Sequence, residues 1–141
     1  MSRVLIIGYG NPLRGDDGFG FRAAERLRSV IDDPDVEIVA LHQLTPELMD
    51  PLSRAERAVF IDAAWPAPAV CRAGMAFTHH LTPAALVAGA RALYGRAAEA
   101  TLLTTTGENF DFGESLSPGV ERALEETIEK VRAILRRPSL S

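Results

Sequence analysis

Four side chains of types that bind metals lie next to predicted elements of this sequence. Asp17 lies in a glycine-rich loop that follows one apolar stretch, and Asp62 ends another apolar stretch. His79 and His80 are adjacent and come just before a Thr-Pro helix-start signal. Carboxylate and imidazole groups are suitable ligands for divalent ions such as nickel or zinc. These side chains would form a metal site if the fold brought them together.

Each of these residues also has an ordinary structural explanation. Asp is a preferred N-cap residue, so Asp17 could cap the helix that follows it. Asp62 could end its strand by accepting hydrogen bonds from loop amides. His79 and His80 could be surface or half-buried histidines without a ligand, and this explanation is stronger for the isolated His42. Residue type and spacing alone leave both explanations open.

Predicted strands and helices alternate along the chain. Apolar runs predict strands over residues 3–8, 36–41, 58–61, 70–77 and 100–105. Amphipathic patterns and Thr-Pro or Ser-Pro start signals predict helices over residues 19–31, 45–54, 82–94 and 117–136. A loop is predicted over residues 63–68, which include two prolines. The alternation predicts an α/β fold, a three-layer sandwich in which a mostly parallel twisted sheet carries helices on both faces.

That fold would place the candidate residues at one edge of the sheet. In open α/β sheets, ligands bind beyond the carboxyl ends of the strands. Asp17 and Asp62 follow or end predicted strands, and His79 and His80 lie in a connecting loop. The length of 141 residues predicts one domain over residues 1–141.

Composition narrows the classes of function and location. Hydrophobic residues make up 47% of the chain, which suffices for a core without disulfides. A net charge of -4 argues against a nucleic-acid-binding protein. Cys71 is the only cysteine, so we expect a small buried residue in a protein of a reducing compartment. With no apolar run of the ~20 residues that a membrane helix needs and no signal peptide at residues 1–8, we expect a cytoplasmic location.

The glycine-rich loop is a poor match to a nucleotide-binding loop. Gly8 and Gly10 fit the first half of a Gly-x-Gly-x-x-Gly fingerprint, but Leu13 takes the place of the third glycine. Asp16 and Asp17 would repel a pyrophosphate at this position. The sequence therefore disfavours nucleotide binding.

Three motifs together resemble those of the hydrogenase maturation proteases. Residues 8–20, GYGNPLRGDDGFG, resemble the family's opening Gly-x-Gly-Asn-x-Leu run with its acidic pair and following glycine. Residues 59–63, VFIDA, resemble the second motif, an apolar strand that ends in Asp-Ala. Residues 78–81, THHL, resemble the third, a histidine that precedes a leucine and a helix. The resemblance extends over essentially the whole chain.

This resemblance implies a site and an activity. Carried over motif by motif, it implies that Asp17, Asp62 and His79 are the metal-binding and catalytic residues. His79 and not His80 has the register of the family histidine, because it lies two residues before Leu81. The implied reaction is removal of a C-terminal peptide from a hydrogenase large-subunit precursor. The implied metal is nickel carried by that precursor, and another divalent ion such as zinc is an alternative.

Two loops depart from the pattern of these relatives. Residues 42–46, HQLTP, stand where relatives that process nickel hydrogenases often have Gly-Gly-Thr, and residues 106–110, TGENF, stand where they often have a Gln-Pro loop. Both loops are expected at the same edge of the sheet as the metal ligands. The departures motivate an alternative function, a non-catalytic metal-sensing chaperone that binds a large subunit without cleaving it.

Overall fold

The structure is a computed structural model and describes residues 3–64, 81–107, 109, 113 and 115–137. The strands are β1 (Val4–Tyr9), β2 (Val36–Leu41), β3 (Arg57–Ala64) and β4 (Glu99–Thr106). The α-helices are α1 (Phe19–Val30), α2 (Met49–Arg54), α3 (Pro83–Tyr94) and α4 (Pro118–Leu135). Short 3-10 turns at Gly15–Gly18 and Pro46–Leu48 precede α1 and α2. None of the described helices combines the length and apolar character that crossing a membrane requires.

The described strands form one parallel sheet in the order β2-β1-β3-β4. β1 pairs with β2 on one side and with β3 on the other. The first five residues of β1 are buried, because helices cover both faces of this central strand. That burial explains why its sequence is apolar at every position instead of alternating with polar residues.

Two hydrophobic cores lie on opposite faces of the sheet. Val4 and Ile6 of β1 contribute to one core, and Leu5 and Ile7 contribute to the other. The first core is completed by side chains of α1 and α4, including Phe19, Leu27, Val120, Ile128 and Val131. The second is completed by side chains of α2 and α3, including Leu52, Leu86 and Ala90. The predicted three-layer α/β fold is therefore confirmed.

The strand order predicts that ligands bind at the carboxyl ends of β1 and β3, a place that we call the crevice. β2 lies on one side of β1 and β3 on the other, so the direction in which strands are added reverses beside β1. Ligands of open α/β sheets bind at such a reversal, where successive connections cross opposite faces. The loop that contains Asp17 follows β1, and Asp62 lies near the end of β3. The topology thus brings the two predicted acidic residues to one crevice.

Most predicted elements are confirmed, with two corrections. Thr82 caps α3 as predicted, since its hydroxyl oxygen accepts a hydrogen bond from the Ala85 amide at 3.0 Å. Thr45 takes the predicted N-cap position before Pro46, but its side chain makes no capping hydrogen bond to the 3-10 turn that follows. The loop predicted from residue 63 begins later, because β4 pairs with β3 as far as Ala64. The predicted strand over residues 70–77, with Cys71, lies outside the described residues.

Gly20, in the first turn of α1, allows that helix to lie directly on the sheet. A Cβ atom at this position would collide with the backbone carbonyl oxygens of Ile61 and Tyr9. These carbonyls belong to β3 and β1, the two strands that border the crevice. The absence of a side chain at Gly20 therefore sets how closely the start of α1 approaches the site.

We expect Gly20→Ala to destabilise the protein by about 1–3 kcal/mol, the usual cost of overpacking. Replacing glycine by alanine within a helix ordinarily stabilises it by up to about 1 kcal/mol, so the expected sign is reversed. Gly89→Ala in α3 is the matched control, because its Cβ would meet only the flexible Met49 side chain. Urea unfolding measures both variants. Equal effects of the two substitutions would contradict the close approach at Gly20.

Candidate active site

The loop after β1 folds back on itself and returns towards the strand that it leaves. Gly10 has a φ of 144°, a conformation that favours glycine, and its amide donates to the Leu41 carbonyl at 3.0 Å. The Asn11 side chain accepts a hydrogen bond from the Leu13 amide at 2.9 Å and so closes a tight turn. The backbone amide of Asn11 in turn donates a hydrogen bond to Asp17 Oδ2 at 3.0 Å. This contact brings the Asp17 carboxylate back to the end of β1.

Asp17 is not the cap of α1. The residue that precedes this helix is Gly18, and no side chain caps the helix. Asp17 lies within the preceding 3-10 turn, and its half-buried carboxylate accepts the hydrogen bond from Asn11 instead. The capping explanation of this aspartate was therefore wrong. Its carboxylate remains next to the crevice.

Asp62 lies in β3 beside Asp17. Burial raises the pKa of Asp62 from its ordinary value of 3.8 to about 6, and the negative charge of Asp17 also raises it. Hydrogen bonds from the Ala63 amide, at 2.7 Å, and from the Tyr9 hydroxyl act in the opposite direction. Burial likewise raises the pKa of Tyr9, so this hydroxyl keeps its proton and donates a hydrogen bond to the Asp62 carboxylate. The two carboxylates repel each other, and a bound cation would relieve that repulsion.

Two of the three predicted site residues are thus brought together. Asp17 and Asp62 are close enough for the charge of one to act on the other. His79 and His80 lie outside the described residues, and their roles stay predictions. Within the described part of the chain, no group of three potential metal ligands occurs. Oxygen atoms of two carboxylates fit a divalent cation as a partial ligand set that needs further donors.

His42 lies at the same edge of the sheet, just beyond β2. Its side chain is exposed, and its ring packs against Phe21 of α1 with ring centroids 5.3 Å apart. The contact gives His42 an ordinary packing role on the surface of α1. It leaves the acidic pair as the centre of the candidate site.

Asp16 is a site neighbour whose role the sequence did not reveal. It is fully buried, and its carboxylate accepts hydrogen bonds from the Ser117 amide and hydroxyl and from the Asn109 amide. Adjacent aspartates in a tight turn point in different directions, so only one of the pair can face the crevice. The adjacent aspartates Asp16 and Asp17 were the available signal in the sequence, but the partners of Asp16, Asn109 and Ser117, are 93 and 101 residues away in the chain.

Solved structures of several hydrogenase maturation proteases have the same fold. The chain is similar to the hydrogenase maturating endopeptidase HybD from E. coli, with 26% identity and a TM-score of 0.74 over 95% of this chain and 92% of that one. By structure, this chain resembles the hydrogenase maturation proteases. No family profile and no curated protein sequence matches the chain.

Two archaeal maturation proteases share this fold at lower identity. One is the [NiFe] hydrogenase maturation protease HycI from Thermococcus kodakarensis KOD1, with 23% identity, a TM-score of 0.75 and coverage of 96% and 94% of the two chains. The other is the hydrogenase 2 maturation peptidase from Thaumarchaeota archaeon SCGC_AB-539-E09, with 24% identity, a TM-score of 0.69 and coverage of 95% and 98%. Nearly the whole of each maturation protease is covered, so the shared fold includes the crevice.

The acidic pair of Asp17 and Asp62 predicts an unusual pH dependence of this protein's stability. A folded-state pKa of about 6 means that folded Asp62 holds its proton more tightly than it does in the unfolded chain. Its contribution to stability is therefore full at low pH and is lost as the pH rises from about 4 to about 6. Without divalent cations, we expect Asp62→Asn to be more stable than the wild type at pH 7 by roughly 1–3 kcal/mol.

Urea unfolding of both proteins in a chelating buffer, from pH 4 to pH 8, tests this expectation. The difference in free energy of unfolding should grow over the pH range in which Asp62 ionises and then level off. Ionisable groups remote from Asp62 contribute equally to the stability of both proteins and cancel in the difference. An Asp62→Asn variant that is less stable than the wild type at every pH would contradict it.

Proposed function

We propose that this chain is an endopeptidase that matures a hydrogenase-type large subunit by removing a C-terminal peptide. The supporting observation is that Asp17 and Asp62 lie close together at the crevice where the strand order reverses. The fold that holds them resembles that of the E. coli maturating endopeptidase. Neither carboxylate has a neighbouring cation among its described contacts that would neutralise the pair. The pair is therefore suited to receive positive charge that arrives with a substrate.

Nickel bound in the precursor would supply that positive charge, and the ion would be part of the substrate. Such an ion polarises a carbonyl or activates a water molecule at the scissile bond. Asp17 and Asp62 would approach it with carboxylate oxygens. The Tyr9 hydroxyl, which is hydrogen-bonded to the Asp62 carboxylate, would fix the orientation of the oxygen lone pairs that remain for the ion. Zinc or another divalent ion is the alternative occupant that a binding experiment must include.

His79 is the proposed third ligand. β3 ends at Ala64, two residues beyond Asp62, and both histidines follow it in the sequence, outside the described residues. In an extended segment adjacent residues point to opposite sides, and in that conformation at most one of the two histidines would face the metal. The register relative to Leu81 and the Thr82 cap favours His79 over His80.

Incubation with the nickel-loaded precursor of the organism's hydrogenase large subunit should release a short C-terminal peptide, which mass spectrometry would detect. We expect Asp17→Asn to abolish cleavage, because the amide offers the cation a weaker ligand. Asp32→Asn is the matched control, since Asp32 is exposed and lies outside the crevice. An intact precursor that nevertheless binds the wild-type protein would favour the non-catalytic chaperone instead.

We expect His79→Ala to lose both metal binding and cleavage, and His80→Ala to keep most of both. A ligating imidazole must be neutral, so metal affinity should fall as the pH drops below the ordinary histidine pKa of about 6.5. Calorimetric titration with Ni²⁺ and Zn²⁺, alongside the precursor assay, measures the two variants. The reverse pattern would assign the ligand to His80.

A further inference from the structure

The carboxylate of Asp16 fastens two distant parts of the chain beside the candidate active site. It accepts hydrogen bonds from the Ser117 amide at 2.7 Å, the Ser117 hydroxyl at 2.8 Å and the Asn109 amide at 2.9 Å. The Asp16 amide donates to the Asn109 carbonyl at 2.8 Å. We call the described residues 107, 109, 113 and 115–117 the late segment. Asp16 therefore joins the glycine-rich loop to the late segment.

The late segment lies at the edge of the sheet where the acidic pair is found. It follows β4, whose last residue, Thr106, pairs with Ala64, two residues beyond Asp62. Gly113 makes two backbone hydrogen bonds to the glycine-rich loop. Its amide donates to the Leu13 carbonyl at 2.7 Å, and its carbonyl accepts from the Gly15 amide at 2.8 Å. The late segment thus borders the crevice on the side of β3 and β4.

Only a carboxylate satisfies all the hydrogen-bond donors at this position. Both oxygens of the buried Asp16 carboxylate accept part-buried hydrogen bonds, and a polar group that loses its partner in such a place costs free energy. An asparagine would place an NH₂ group opposite the Asn109 or Ser117 donors, because an amide has one accepting oxygen. The two hydrophobic cores of the sheet do not include Asp16. Loss of its charge should therefore displace the late segment while the three layers remain.

We propose that Asp16 is a positioning residue that holds the late segment as one wall of the surface that receives the precursor. This inference rests on the proposed function. Asp16 and Asp17 are adjacent but act in different directions, Asp16 on the late segment and Asp17 on the crevice with Asp62. Asp16 therefore sets the affinity for the precursor, while cation binding by the acidic pair and the chemical step do not depend on it.

Hydrogen exchange of Asp16→Asn tests the positioning role without a substrate. Exchange should accelerate in peptides that span residues 105–118, while peptides from β1 and from the middle of α1 keep their wild-type rates. Ser117→Ala removes one of the hydrogen bonds and retains Asp16, so it should give a smaller change in the same peptides. Asp32→Asn is the control for loss of an aspartate charge. If Asp16→Asn does not fold, Ser117→Ala carries the test.

Cleavage of the nickel-loaded precursor tests the consequence for binding. For Asp16→Asn we expect KM to rise by roughly tenfold or more, as misplacement of a binding surface predicts. We expect kcat to stay within about threefold of the wild type, since the chemical groups are unchanged. Ser117→Ala should raise KM by a smaller factor. Calorimetric titration with Ni²⁺ should give the same affinity for Asp16→Asn as for the wild type.

Several outcomes would overturn the inference. Unchanged exchange in residues 105–118 of Asp16→Asn would show that Asp16 does not position the late segment for binding. So would an unchanged KM of Asp16→Asn when the wild type cleaves the precursor. A fall in kcat at constant KM would place Asp16 in the chemical step. A wild-type protein that neither binds nor cleaves the precursor would overturn the proposed function itself, a result that the variants cannot imitate.

Discussion

The close approach of α1 to the carboxyl ends of β1 and β3 is the constraint on which the candidate site depends. At Gly20 the helix backbone lies against the carbonyl groups of both strands, with no room for a Cβ atom. The 3-10 turn that leads into α1 is thereby held against the end of β3, and it carries Asp17 with it. The position of one carboxylate relative to the other thus follows from backbone packing. Neither side chain needs to attract the other, and in fact they repel.

The two adjacent aspartates illustrate how environment assigns different roles to the same residue type. Asp16 is buried among hydrogen-bond donors, which suit a carboxylate and make it a structural acceptor. Asp17 instead lies near a second, partly buried carboxylate, and its charge makes ionisation of Asp62 less favourable. A protein that keeps such an unfavourable pair gives up stability at the position where function requires charge.

Much of this arrangement was predictable, because it depends on local patterns. The alternation of apolar stretches and helix-start signals indicated the layers, and the rule for open α/β sheets indicated the edge at which Asp17 and Asp62 meet. The extension of β3 to Ala64 was not predictable, because it depends on pairing with β4 and not on the sequence of β3. Which of Asp16 and Asp17 would be the buried hydrogen-bond acceptor depended on Asn109 and Ser117, whose proximity only the tertiary structure reveals.

The link between Asp16 and Ser117 spans 101 residues, and this separation has a consequence for the order of events during synthesis. Contacts between residues so far apart in the chain form late, because a long loop must close before they can be made. While the ribosome is still making the chain, the glycine-rich loop exists without the partners that complete it. Contacts between elements that are closer in the sequence can form earlier. The late segment can join the glycine-rich loop only after the residues that precede α4 have been made. A nascent or truncated chain that lacks these residues would therefore lack the donors that Asp16 binds beside the crevice.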